Sequence, residues 1–189
     1  MTNRHIEAIV AGVSQGGMVA LETLLPQLPE TFDKPIIIVL HRATSSDTFL
    51  AEHLNNISLI QVEEAEEKQP IKSGTIYLAP AGYHLLIERD QTFSLSCDER
   101  VNFTRPSVDV LFESAADCYT NQLLGIILTG NNSDGAKGLQ RIKQAGGLAL
   151  VQDPKDAEVP GMPLAAIRTT HVDAILTLDQ LAQYLNRLS

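Results

Sequence analysis

Three polar residues with the chemistry of a hydrolytic site each follow an apolar stretch of the chain. Ser14 lies in Gly12-Val13-Ser14-Gln15-Gly16, which fits the G-x-S-x-G pattern of a nucleophile elbow. His41 follows five branched apolar residues, and Asp134 lies among small residues after another apolar run. A neutral imidazole can take the proton of a serine hydroxyl, and a carboxylate can fix the tautomer of that imidazole. These residue types predict a serine–histidine–aspartate triad.

The glycine-rich stretch around Ser14 has competing interpretations. A phosphate-binding P-loop requires Lys followed by Ser or Thr, where this chain has Met18 and Val19. A dinucleotide-binding turn requires glycine at position 14 and an acidic residue after the second strand, where His41 stands. A plain turn with a capping serine also fits the pattern alone. The elbow is favoured because His41 and Asp134 supply its partners, and a nucleotide-binding domain is the weaker alternative.

Short runs of branched residues predict the strands that position these side chains. The predicted strands are residues 6–11, 36–40, 123–128 and 148–152. Amphipathic segments of helical length, such as residues 18–28, lie between them. This alternation predicts an α/β fold with a doubly wound, mainly parallel sheet. Carboxyl ends of parallel strands share one edge, so we expect Ser14, His41 and Asp134 to lie together there.

Other segments depart from this alternation. Residues 75–97 predict three strands joined by turns, an antiparallel excursion at the sheet edge. Pro106 predicts the start of a helix that ends near Tyr119, and Thr177 with Gln180 predicts a capping box before a final helix. The acidic run 63–67 is interpreted as a solvated surface. We expect residues 1–189 to form one domain.

Composition excludes several function classes. The chain of 189 residues has a formal net charge of −9, which disfavours nucleic acid or an anionic membrane surface as a partner. No apolar run reaches the roughly 18 residues of a membrane span, and the start lacks a secretion signal, so we expect a cytoplasmic protein without membrane insertion. Cys97 and Cys118 are expected to be reduced, and they have no metal-ligand spacing. His5, His53, His84 and His171 do not end strongly apolar strands, and no catalytic role is predicted for them.

Several short motifs together carry a resemblance to a known family. They are, in chain order, Gly12-Val13-Ser14-Gln15-Gly16-Gly17, the strand ending in His41, Gly74 to Pro80 with Gly82 and His84, Arg105 to Phe112, Leu128-Thr129-Gly130, Asp134-Gly135-Ala136, Gln152-Asp153 and Gly161-Met162-Pro163. Over nearly its whole length the chain resembles the catalytic domain of the chemotaxis protein-glutamate methylesterases, the CheB family. The order Ser, His, Asp along the chain differs from the orders in the common triad hydrolases.

The resemblance implies a hydrolase that removes methyl groups from glutamyl γ-methyl esters of chemoreceptors and, in some members, deamidates receptor glutamines. It assigns the nucleophile to Ser14, the base to His41 and the orienting acid to Asp134. It implies no metal and no organic cofactor, and its partners are the cytoplasmic helices of methylated chemoreceptors. For the oxyanion we expect the backbone N–H groups of Gln15 and Asn131 to be the donors.

The sequence departs from the family at the mouth of this site. The family usually has threonine at Gln15, Met-Pro at Arg42-Ala43 and Met-Gly at Asn131-Asn132. These changes motivate an alternative, a CheB-like binding module without catalysis that docks on receptors or signalling proteins.

A regulatory domain is a second point of comparison. The family commonly carries a receiver domain before the esterase, whereas here the first strand starts almost at Met1. We therefore expect either a stand-alone member or an excised domain, with any regulator on a separate chain. The corresponding expectation is constitutive activity that phosphodonors do not change.

Overall fold

The computed structural model describes residues 5–42 and 49–188. Its strands are β1 Ala8–Val13, β2 Ile36–Leu40, β3 Gln61–Glu64, β4 Thr75–Leu78, β5 His84–Ile87, β6 Phe93–Ser96, β7 Leu123–Ile127, β8 Leu148–Gln152 and β9 Ala174–Leu176. Its α-helices are α1 Gly17–Leu24, α2 Phe49–Ile57, α3 Val108–Tyr119, α4 Ala136–Gln144, α5 Gly161–Thr169 and α6 Leu178–Leu185. Single 3₁₀ turns follow α1 at Leu25–Gln27 and α3 at Thr120–Gln122.

Seven strands form one parallel sheet in the order β3-β4-β2-β1-β7-β8-β9. Side chains of β1 alternate between its two faces. Ile9, Ala11 and Val13 pack with α1, α2 and α6, while Ala8 and Val10 pack with α3, α4 and α5. Every residue of β1, β2 and β7 is buried, as expected for central parallel strands covered on both faces. The predicted doubly wound α/β sheet is confirmed.

The first strand is displaced from its predicted position. β1 spans Ala8–Val13 instead of 6–11, so Ser14 follows the strand directly. Glycine at position 12 interrupts the apolar run in the sequence, but its backbone continues the pairing with Val39 of β2. The strand therefore carries Ser14 to the carboxyl edge of the sheet.

Two short strands at the edges of the sheet were not predicted. β3 contains two glutamates, and only its Val62 is buried, so its sequence has little apolar signal. The acidic run 63–67 was interpreted as a solvated surface, and this is only partly right: Glu63 and Glu64 belong to this edge strand and are half-buried, whereas Glu66 and Glu67 are exposed. β9 has three residues, none of them buried. Edge strands of this kind form because the adjacent strand supplies backbone hydrogen-bond partners, and the local sequence pattern does not indicate that strand.

The segment 75–97 contains the three predicted strands, but the first belongs to the main sheet. β4 is buried along its whole length and lies parallel between β2 and β3. Only β5 and β6 are antiparallel, and they form a separate two-stranded sheet. This hairpin packs on α3, and Ser114 Oγ accepts a hydrogen bond from the N–H of Ile87 at 3.1 Å.

Helix α3 begins two residues later than predicted. Ser107 is its N-cap residue and is extended, with φ −111° and ψ 139°, so Pro106 precedes the cap instead of opening the helix. The predicted capping box of α6 is confirmed, because Thr177 Oγ1 accepts from Gln180 N–H and Gln180 Oε1 accepts from Thr177 N–H. None of the helices in the described ranges is long and apolar enough to cross a membrane.

Candidate active site

Ser14 lies in a tight turn between β1 and α1. Its N–H donates to the carbonyl of Thr129 at 2.9 Å, and its own carbonyl accepts from the N–H of Gly17 at 2.9 Å. Gly16 is the N-cap of α1 and has a left-handed backbone with φ 77°. Glycine adopts this conformation without the penalty that a Cβ imposes. The local structure is the strand–turn–helix arrangement that an elbow requires.

A second glycine lets the end of β7 approach Ser14. A Cβ at Gly130 would lie 2.8 Å from Ser14 Cβ and 2.1 Å from Met162 Sδ, so no larger residue fits there without movement. Thr129 Oγ1 donates to the carbonyl of Gln15 at 2.8 Å and accepts from Val159 N–H at 2.9 Å. The segment after β7 is therefore held against the serine turn.

His41 follows β2 and faces the same edge. Its N–H donates to the carbonyl of Val13 at 3.0 Å, which extends the pairing of β1 and β2 by one residue. Its side chain is 9% exposed, and Nε2 lies 2.8 Å from Asp134 Oδ2. The structure thus brings together the predicted base and the predicted acid.

The carboxylate of Asp134 is surrounded by donors besides His41. Its Oδ1 accepts from Asn102 Nδ2 at 2.8 Å, from Ser107 Oγ at 2.8 Å and from Asp109 N–H at 3.2 Å. Its Oδ2 accepts from Val108 N–H at 2.7 Å and lies 3.2 Å from Thr104 Oγ1. The backbone donors are the first N–H groups of α3, so the positive end of that helix dipole points at the carboxylate.

These contacts keep Asp134 ionised despite its burial. Burial alone raises the pKa of a carboxyl group, but hydrogen bonds from His41, Asn102, Val108 and Ser107 outweigh it and lower the pKa of Asp134 to about 2. The side chain is 0% exposed. An ionised carboxylate accepts hydrogen bonds only, and it can therefore orient the imidazole without taking its proton.

A second buried carboxylate lies behind the first. Asp109 Oδ1 accepts from Gly138 N–H at 2.7 Å, and its Oδ2 accepts from Asn102 Nδ2 at 2.8 Å. Burial raises the pKa of Asp109, and the nearby charge of Asp134 raises it further. Asn102, which has a left-handed backbone with φ 51°, donates to both carboxylates and so bridges them.

The other ring nitrogen of His41 is also engaged. Asn132 Nδ2 lies 3.1 Å from His41 Nδ1, and Asn132 Oδ1 accepts from the N–H of Asp134 at 3.0 Å. Within the described ranges no hydrogen bond joins Ser14 Oγ to His41. Ser14 lies at the predicted edge, but the hydrogen-bond partner of His41 Nδ1 is the side chain of Asn132 and not Ser14 Oγ.

The two predicted oxyanion donors follow β1 and β7, whose carboxyl ends share one edge of the sheet. Neither the N–H of Gln15 nor the N–H of Asn131 has an acceptor among residues 5–42 and 49–188. Gln15 follows the serine, and Asn131 follows Gly130. A free backbone N–H next to a nucleophile is the kind of group that stabilises a developing oxyanion.

A basic cleft opens beside His41. It has a volume of about 150 Å³ and is lined by Arg42, Arg100, Phe103 and Arg105, among others. Arg42 forms an ion pair with Glu64, whereas none of the described carboxylates pairs with Arg100 or Arg105. Phe103 is 94% exposed. Four of the five positions at which the sequence departs from the family, Gln15, Arg42, Asn131 and Asn132, are among the described residues, and the fifth, Ala43, lies outside them.

Several residues that complete the site were not predicted. Asn102, Thr104 and Ser107 hold Asp134. Of these three residues only Ser107 lies within the family motif Arg105 to Phe112, and the sequence carried no signal for Asn102 or Thr104. His84 supports the same segment, since its Nδ1 accepts from Ser107 N–H at 3.2 Å and its Nε2 bonds to the carbonyl of Glu99 at 3.0 Å. Among the residues described, no cluster of three or more His, Cys, Asp or Glu side chains has the arrangement of a metal site.

Comparison with known proteins identifies the family. The CheB methylesterase family model matches residues 9–185. A protein of Leptospira interrogans, provisionally named protein-glutamate methylesterase/protein-glutamine glutaminase, is 55% identical over 184 residues, which cover 97% of this chain and 95% of that protein. The protein-glutamate methylesterase/protein-glutamine glutaminase of Archaeoglobus fulgidus is 36% identical over 182 residues, which cover 95% of this chain and 52% of that protein.

A solved structure has the same fold over nearly the whole chain. The crystal structure of the Thermotoga maritima CheB methylesterase catalytic domain superposes with a TM-score of 0.93 at 32% identity, and the match covers 97% of this chain and 99% of that one. Both the predicted fold and the predicted resemblance are confirmed. Since these matches extend over nearly all of its length, the chain belongs to the CheB methylesterase family.

Proposed function

We propose that this chain is a protein-glutamate methylesterase that uses Ser14 as nucleophile, His41 as general base and Asp134 as orienting acid. The observation that carries the proposal is the 2.8 Å hydrogen bond between His41 and the buried carboxylate of Asp134, at the sheet edge where the Ser14 turn lies. The names of the relatives support the same activity. We also propose that residues 1–189 form one catalytic domain.

The chemistry runs in two half-reactions. Ser14 Oγ attacks the carbonyl carbon of a glutamyl γ-methyl ester while His41 accepts the hydroxyl proton. His41 returns that proton to the departing methoxide, which leaves as methanol, and the glutamyl group stays esterified to Ser14. A water molecule then gives a proton to His41 and attacks the same carbon. Ser14 recovers its proton, and the product is a glutamyl carboxylic acid that ionises in water.

Backbone amides stabilise the charge that develops on the carbonyl oxygen. The N–H groups of Gln15 and Asn131 have no acceptor among the described residues, which supports their assignment to this role. Losing one donor of this kind typically costs about 3 kcal/mol of transition-state stabilisation. Because the donors are backbone groups, the side-chain departures at Gln15 and Asn131 are compatible with activity.

The same site can act on an amide, with ammonia as the leaving group in place of methanol. This second activity is proposed because both named relatives are also called protein-glutamine glutaminases. It uses the same nucleophile, base and amide donors.

We propose that the substrate is the methylated cytoplasmic helices of chemoreceptors and, with it, that the protein acts in the cytoplasm. The cleft beside His41 favours an acidic segment, since Arg100 and Arg105 are not neutralised by a described carboxylate. The whole chain carries a net charge of −9, so this basic cleft contrasts with the charge of the protein. An exposed aromatic ring, Phe103, adds apolar contact at its rim.

Substitution of the nucleophile tests this proposal. Methanol release from methylated receptor membranes should occur with the wild-type chain and fall by at least about a thousandfold in Ser14→Ala, because only the background of the remaining site is left. Ser133→Ala, an exposed serine in the loop before α4, is the matched control and should retain wild-type activity. Equal release from Ser14→Ala and wild type would remove Ser14 from the mechanism.

The alternative is a binding module that keeps the fold without catalysis. It predicts that wild type and Ser14→Ala release no methanol and bind receptor membranes equally well. Measuring both binding and release on the same membranes separates the two functions.

A further inference from the structure

The hydrogen bonds around His41 define which nitrogen is basic. The carboxylate of Asp134 is ionised and accepts from Nε2, so Nε2 carries the ring proton. In the neutral imidazole the lone pair is then on Nδ1. This lone pair is the group that a general base needs in order to take the proton of Ser14.

The orientation of the Asn132 amide is defined in the same way. Its Oδ1 accepts from the N–H of Asp134 at 3.0 Å, which leaves Nδ2 facing His41 at 3.1 Å. An amide nitrogen only donates, and therefore Asn132 Nδ2 donates a hydrogen bond to the lone pair of Nδ1. Asn132 is partly buried and belongs to the same loop as Asp134, so the amide is anchored beside the ring.

We propose that Asn132 is a positioning residue that caps the basic nitrogen of His41 in the free protein, so that Ser14 must displace its amide before proton transfer. The inference rests on the proposed function, because it assigns His41 as the base for Ser14. It goes further in assigning a restraining role to a side chain where the family usually has glycine. A hydrogen bond of typical net strength would slow the reaction by about threefold to tenfold.

Charged groups near His41 come from several elements. Asp134 precedes α4, with Asp109 of α3 behind it, and Arg42 follows His41 and pairs with Glu64 of β3. Arg100 and Arg105 line the adjacent cleft. All of these groups are retained when Asn132 alone is replaced, so a change in the pH profile of such a variant reports on the Asn132 contact.

Two substitutions separate capping from a purely structural role. Asn132→Gly removes the amide. Asn132→Asp keeps an oxygen for the N–H of Asp134 but places a second carboxylate oxygen at Nδ1, which favours the protonated ring. Ser133→Ala is the control, because it changes a neighbouring exposed side chain that does not contact His41.

The rate at which a fluorophosphonate labels Ser14 measures the reactivity of the serine without any receptor substrate. We expect Asn132→Gly to be labelled about threefold to tenfold faster than wild type at neutral pH. Asn132→Asp should be labelled more slowly at neutral pH, and its rate should rise only at higher pH. If Asn132 merely shapes the loop, Asn132→Asp would behave as wild type and Asn132→Gly would react more slowly. Either result would overturn the proposal.

Ring nitrogen-15 spectra give a readout that does not depend on catalysis. Nδ1 of His41, assigned from its loss in His41→Gln, should be unprotonated and hydrogen-bonded in wild type and should move to higher frequency in Asn132→Gly. An unchanged Nδ1 resonance would overturn the proposal even if labelling differed. Absence of Ser14 labelling in every form would count against the proposed esterase, while the spectra would still decide the role of Asn132.

Discussion

At the scale of single residues, Asp134 is a carboxylate that orients the proposed base, His41, without itself accepting a proton. Its donors are His41, the side chains of Asn102 and Ser107, and the first two N–H groups of α3. These donors satisfy both oxygens and hold the pKa at about 2 after burial has raised it. Proton transfer in the proposed reaction is therefore assigned to His41 alone.

The pH dependence of turnover tests that assignment. His41 can act as a base only when its ring is neutral, so we expect the demethylation rate to increase as the pH is raised. Rates should be measured from about pH 5 to about pH 8, with circular dichroism to show that the protein stays folded. A flat profile across this range would contradict catalysis by a histidine base.

At the scale of elements, the first turn of α3 is the main support of the site. Val108 donates its N–H to Asp134 at 2.7 Å, and its side chain packs over Gly12 near the end of β1. A Cβ at Gly12 would lie 2.3 Å from Val108 Cγ1. The glycine before the nucleophile therefore allows the helix to come close enough to hold the acid.

Substitution of Gly12 by alanine should disturb both stability and activity. The added methyl group displaces Val108, and we expect a loss of about 1 to 3 kcal/mol in the free energy of unfolding together with slower turnover. The double variant Gly12→Ala/Val108→Ala removes the clash and should be more stable than the sum of its single changes predicts. Urea unfolding of all four forms measures this coupling, and strict additivity would show that the close approach is not the cause.

The loop between β6 and α3 has a second role, at the proposed substrate cleft. Arg100 is exposed and lines the cleft, whereas Arg89 is exposed at the turn between β5 and β6 and does not line it. Reversing a rim charge changes association and its salt dependence more than it changes the chemical step. Arg100→Glu should therefore raise the KM for receptor membranes by about fivefold at low salt.

The control for this charge reversal is Arg89→Glu, which should leave KM unchanged. Hydrolysis of a small neutral ester should be the same in wild type and Arg100→Glu, because it does not require the acidic partner. A similar rise in KM for both variants would indicate a general charge effect instead of a docking site.

At the scale of the whole molecule, the site is tied to the stability of the fold. Asp134 connects the loop before α4 with His41 after β2 and with the start of α3, at the carboxyl edge of the parallel sheet. Its pKa changes from an ordinary value of 3.8 to about 2 on folding. The unfolded chain thus binds this proton at higher pH than the folded chain, so stability falls as pH drops from about 4 to about 2.

The acid unfolding of Asp134→Asn checks this linkage. The change in pKa corresponds to about 2 kcal/mol of stability that wild type loses in this range and the variant does not. The raised pKa of Asp109 acts in the opposite direction, since burial favours its protonated form in the folded state. The pH-dependent part of the free energy of unfolding should be compared by urea titration at pH 6 and pH 3, between which about half of this loss, about 1 kcal/mol, should appear, with Asp117→Asn as an exposed control. An equal pH dependence in wild type and Asp134→Asn would contradict the linkage.

The sequence by itself determined the strands at the centre of the sheet and the residues that follow them. Central parallel strands are buried on both faces, so they appear as short apolar runs, and β2 and β8 match the predicted bounds. Ser14, His41 and Asp134 were predicted because each follows such a run, and parallel strands bring their carboxyl ends to one edge. These features depend on neighbours in the chain.

Only the tertiary structure decided what surrounds those residues. The donors to Asp134 from α3 lie 25 to 27 residues earlier in the chain, and Asn132 reaches His41 across 91 residues. Likewise, β4 enters the main sheet between β2 and β3, although its sequence fits a hairpin equally well. Hydrogen-bond partners and strand neighbours depend on which distant groups come into contact when the chain folds. The local pattern of residue types does not determine those contacts.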